Sequence, residues 1–124
     1  MAVVKKETAM LKNFVNGEWV SSTSNNSLEV PNPATEENMA YVPLSSKEDV
    51  SLAVSAAEKA FQTWSKVPVP KRARILFAYH ALLVKHHDDL AELVVKENGK
   101  SYKEAYGEVL RGIECVEFAT GAPT

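Results

Sequence analysis

Apolar and polar positions change their period once along this chain. Up to Pro43 they come in short alternating runs; from Ser45 onward they recur every three or four residues. The first regime predicts strands. Phe14-Val15 and Trp19-Val20 flank Asn16-Gly17, a pair that readily takes the positive φ angles of a type I′ turn. The spacing predicts a tight hairpin with strands at Lys12–Val15 and Glu18–Val20, ahead of a polar link over Ser21–Ser27. Leu28-Glu29-Val30 alternates and predicts another strand. Pro31 and Pro33 fix φ and remove donors, so pairing is expected to end there. A turn near Thr35-Glu36-Glu37 then leads into a further short strand over Asn38–Val42.

The second regime predicts three amphipathic helices. Ser45 and Glu48 have capping-box spacing and open the first. Val50, Ala53, Val54, Ala57, Phe61 and Trp64 line one side of it, with Phe61 and Trp64 expected in a core. Pro68 and Pro70 break the ladder, and Pro70 suits the first position of the second helix, where its missing N–H costs nothing. Ala73, Leu76, Phe77, His80, Leu83 and Val84 share its face; His86-His87-Asp88 is expected to bend or interrupt it, with Asp88 as a cap. Asn98-Gly99 supplies the stop. Ser101 and Glu104 repeat the capping-box spacing and open the third helix, with Tyr102, Ala105, Val109, Ile113 and Val116 on one face. Gly107 and Gly112 each lower helix propensity by up to about 1 kcal/mol, which predicts something packed closely against that side. Gly121-Ala122-Pro123 ends the helix. The picture is thin strand material at one end of a mainly helical chain, with residues 1–12 as a flexible tail.

Composition narrows the function classes. With 124 residues, 45% hydrophobic and 24% charged, the chain is at most one small globular domain. Its net charge is −2 and there is no basic stripe, so a nucleic-acid surface is not expected. The densest basic cluster, Lys71-Arg72-Ala73-Arg74, reads as a solvated helix face. One cysteine excludes an internal disulfide and fits a reducing compartment. No run reaches the roughly 18 apolar residues of a membrane span, and the start lacks the apolar core of a secretory signal; a cytoplasmic protein is the default.

The candidate chemistry is sparse. Cys115 is the one thiol, late in a helix and between Glu114 and Val116, a setting that disfavours a thiolate; a structural or half-buried thiol is expected. His80, His86 and His87 stand near Asp88 and Asp89, but zinc sites use tighter spacing. Asn98-Gly99-Lys100-Ser101 lacks the earlier glycine of a phosphate loop, and a helix stop followed by a helix cap explains it. Glu36-Glu37 and Asp88-Asp89 sit at turns or caps, not as an acid–base pair. No catalytic, cofactor-binding or metal-ligating residue is assigned.

Several short stretches taken together carry a resemblance. They are FVNGEWV at Phe14–Val20, NPAT at Asn32–Thr35, Val42-Pro43, Glu48-Asp49-Val50 and AVSAAEKAFQTW at Ala53–Trp64, then RARIL at Arg72–Leu76, ENGK at Glu97–Lys100 and Gly107-Glu108-Val109. In this order and spacing they resemble the N-terminal segment of the aldehyde dehydrogenase superfamily. The stretch Gly107–Glu114, with Val116–Ala119 and Gly121-Ala122-Pro123, resembles the CoA-acylating methylmalonate-semialdehyde dehydrogenases. The resemblance implies an α/β parent fold, with residues 13–124 an incomplete part of its NAD-binding domain. It implies an oxidoreductase in which a cysteine thiolate attacks a semialdehyde, hydride passes to NAD, and CoA resolves the thioester. The alternatives are a fragment of a hydrolytic NAD(P)-dependent aldehyde dehydrogenase and a stand-alone helical interaction module. The nucleophile and cofactor residues of such enzymes lie C-terminal to this region, so neither NAD nor CoA is expected on this chain alone. The implied partners are the rest of the subunit and further copies of it, with no nucleic acid and no membrane. Some relatives hold a structural alkali cation, for which Val30, Pro31 and Glu108 are the nearest equivalents.

Overall fold

A computed structural model describes residues 8–122. Its backbone divides into two compact units, one up to Trp64 and one from Ser65. Among the described residues no helix is long and apolar enough to cross a membrane.

The first unit holds two antiparallel hairpins and a helix. β1 (Asn13–Val15) pairs with β2 (Glu18–Val20). Asn16 and Gly17 have φ of 52° and 83°, the two positive angles that let the turn follow the twist of the strands. Phe14 lies opposite Trp19, with ring centroids 5.0 Å apart. β3 (Ser27–Pro31) pairs with β4 (Asn38–Pro43). Pairing ends at Pro31, as the prolines predict. Pro31 still lies opposite Asn38, because a register irregularity between Val30 and Pro31 accommodates the missing donor. Beyond it, Asn32 organises the turn: its carbonyl accepts from Thr35 and Glu36, and its N–H donates to the Glu37 carbonyl. Residues 1–7 of the expected tail lie outside the described residues. Further along that segment, Met10 forms a parallel bridge with Tyr41.

α1 (Lys47–Trp64) begins later than the capping box at Ser45 and Glu48 required. The box is built one residue on. Ser46 Oγ accepts the Asp49 N–H at 3.1 Å, and Asp49 Oδ2 accepts the Ser46 N–H at 2.9 Å. Ser45 is engaged elsewhere, its Oγ accepting from Asn13 Nδ2 at 2.8 Å. No residue of α1 is buried. Phe61 and Trp64, expected in a core, are 65% and 43% exposed, since nothing described packs over their side of the helix.

The second unit is helical. α2 (Val69–Lys85), α3 (His87–Asn98) and α4 (Tyr102–Thr120) follow in order, and α4 packs against both others. Among the described residues four helices therefore stand where three were expected, because the interruption at His86 is complete. Its N–H donates to the Leu82 and Val84 carbonyls, and its own carbonyl accepts from Leu90. One residue thus closes α2 and opens α3. Asp88 does not cap α3; it bonds Tyr102 instead. Pro70 sits in the first turn of α2, one place after the expected position, with Pro68 as the cap residue. Gly99 ends α3 at φ 75°, its N–H on the Val95 carbonyl, a left-handed geometry that glycine adopts without a Cβ clash. The capping box of Ser101 and Glu104 is complete.

The core of this unit is made of small side chains. Ala73, Ala91, Ala105 and Ile113 are buried, and Ala91 and Ala105 have no exposed surface. Such short side chains let helix axes come close. Gly107 and Gly112 do not follow this logic: a Cβ at either would meet nothing within 4 Å. The close packing that their presence predicted is not supplied by the described residues.

Candidate functional site

Asp49 is the most heavily bonded side chain of the first unit. Ser22 Oγ donates to its Oδ2 at 2.6 Å, and the Thr23 N–H and Oγ1 each donate to Oδ1 at 3.1 Å. With the Ser46 N–H, these bonds hold the carboxyl far below the usual carboxylate range, the Ser22 hydroxyl contributing most. The link between β2 and β3 is thereby tied to the first turn of α1. Beside it lies a groove of about 290 Å³ lined by Asn13, Phe14, Val15, Ser45, Asp49 and Val50.

The second cluster joins the start of α3 to α4. His87 is 8% exposed. Its ring stacks on Tyr106 with centroids 3.6 Å apart and planes 17° apart, and its Nε2–H donates to the Tyr106 carbonyl at 2.8 Å. One turn earlier on α4, the Tyr102 hydroxyl donates to Asp88 Oδ1 at 2.6 Å. That bond stabilises the protonated phenol and pushes its pKa up to about 12. His86, on the solvent side, bonds Asp89 at 2.9 Å. The histidines weighed as metal ligands are thus separated in role: His80 belongs to α2, His86 to the joint and His87 to the α3–α4 seam.

A third cluster explains the Asn98–Ser101 stretch. Gly99 closes α3, Lys100 pairs with Glu108, and Ser101 caps α4. Lys100 holds the Glu108 carboxyl below its ordinary range, and the Ser101 hydroxyl does the same to Glu104. Glu108 is therefore already neutralised by a cation of this chain. The other two residues equated with a cation site, Val30 and Pro31, belong to β3 of the first unit. Cys115 is exposed on α4, not half-buried, because two residues along a helix from the buried Ile113 it lies on nearly the opposite side, near the exposed Phe118.

The hydrogen bonds of these clusters join elements of the chain to one another. Among the described residues no group of three or more His, Cys, Asp or Glu is placed to hold a metal ion. Helix starts are where a dinucleotide pyrophosphate would normally be cradled. At α1 and α4 that position is occupied by the carboxylates of Asp49 and Glu104, and α3 carries Asp88 and Asp89 in its first turn. The start of α2 follows Pro68 and includes Pro70, neither of which offers an N–H. Sequence reasoning missed Asp49 as a hub and the His87–Tyr106 stack. The i, i+4 spacing of Tyr102 and Tyr106 was the available signal for the seam; for Asp49 the Ser46 partner is local, but Ser22 and Thr23 lie more than 20 residues away and leave no local pattern.

Comparison with known proteins gives the wider context. The model of the aldehyde dehydrogenase family matches residues 19–124. Over all 124 residues the chain is 66% identical to malonate-semialdehyde dehydrogenase 1 of Geobacillus kaustophilus, of which it covers 25%. A malonate-semialdehyde dehydrogenase of Halalkalibacterium halodurans is 63% identical over 92% of this chain and 24% of its own length. Among solved structures, methylmalonate-semialdehyde dehydrogenase of Oceanimonas doudoroffii superposes with a TM-score of 0.89 at 41% identity, over 94% of this chain and 24% of that one. The chain spans about a quarter of the length of the relatives it matches. With its two hairpins and its helices in the family's order, it belongs to the aldehyde dehydrogenase family and corresponds to the N-terminal segment of enzymes similar to the malonate- and methylmalonate-semialdehyde dehydrogenases.

Proposed function

We propose that this chain is the leading flank of an NAD-dependent, CoA-acylating semialdehyde dehydrogenase of the cytoplasm, acting on malonate or methylmalonate semialdehyde. The observation that carries this is 66% identity along the whole chain to a malonate-semialdehyde dehydrogenase. In the complete subunit the aldehyde is oxidised on a cysteine, NAD accepts the hydride, and the acyl group leaves on CoA. The thiol and the cofactor site belong to the remainder of the subunit, and the 124 residues alone turn over nothing.

The part played by this segment is to build and brace that subunit. Large apolar side chains of α1, α2 and α4 stand exposed, including Phe61, Phe77 and Phe118. The buried Asn38 Oδ1 and Arg72 Nε have no hydrogen-bond partner among the described residues. Both features fit faces completed by the rest of the subunit, in an enzyme that assembles from several copies. The test is a CoA-dependence assay on the complete enzyme that carries this segment. Acyl-CoA and NADH should form together, and omission of CoA should lower the rate strongly. Release of the free acid at an undiminished rate without CoA would assign the hydrolytic activity instead.

A further inference from the structure

We draw no further inference here: the strongest candidate, the outer face of α4 where Gly107, Leu110 and Phe118 lie along one side, carries nothing beyond the subunit contact already proposed, because nothing in the structure shows what covers it.

Discussion

At neutral pH Asp49 accepts from Ser22, Thr23 and Ser46 at once. A carboxylate held this way binds its proton less readily in the folded chain than in the unfolded one. Its contribution is therefore fully present above the ordinary aspartate range of about 3.9 and is lost as pH falls below it. Urea midpoints measured between pH 6 and pH 2 should decline over the acid range, and Asp49→Asn should flatten that decline and lower the midpoint at pH 6. Glu104 and Glu108, shifted in the same direction, leave a residual slope. Tyr102 works in the opposite sense. Its phenol is held protonated by Asp88, so that bond stabilises the fold below the ordinary tyrosine range and is lost as pH rises towards 12. Ultraviolet titration should show a tyrosine ionising late, and Asp88→Asn should move that ionisation to lower pH. A parent chain with no late ionisation would contradict the contact.

Elements set by neighbouring residues were legible in the sequence; those set from afar were not. The Asn16-Gly17 turn, the Gly99 stop and the Ser101–Glu104 box each depend on residues within a few positions, and all three are present. The start of α1 was misplaced by one residue because Ser45 and Ser46 are alike locally. Asn13 takes the first, and Asp49, itself fixed by Ser22 and Thr23, takes the second. The joint at His86 was visible as a weakness in the pattern. His87, next in the chain, stacks on Tyr106 of α4, a contact that cannot be read from either helix alone. In α4 the glycines were visible but their surroundings were not. A Cβ at Gly107 or Gly112 meets open space, so Gly107→Ala and Gly112→Ala should each stabilise the isolated chain by up to about 1 kcal/mol, read as a raised thermal midpoint. The same changes in the complete enzyme should lower its stability if another element approaches α4 there.

For the molecule as a whole, burial is the decisive quantity. Among the described residues the buried apolar ones, Ala73, Ala91, Ala105 and Ile113, are mostly alanine, while Phe118 is 87% exposed. Contiguous exposed apolar surface promotes association. The 124-residue chain on its own should bind a hydrophobic dye and sediment as a mixture of aggregates, and co-expression with the remaining part of a family subunit should suppress both. A monodisperse chain that ignores the dye would show that these faces need no cover.

The backbone contact between the Ala9–Leu11 stretch and β4 bears on how the protein can be handled. Tyr41 donates its N–H to the Ala9 carbonyl and accepts from the Leu11 N–H. Trimming the chain to the first hairpin strand would strip both bonds and leave a bare strand margin open to pairing with other molecules. A purification tag therefore belongs ahead of Thr8, and a trimmed gene should retain every codon from that position onward.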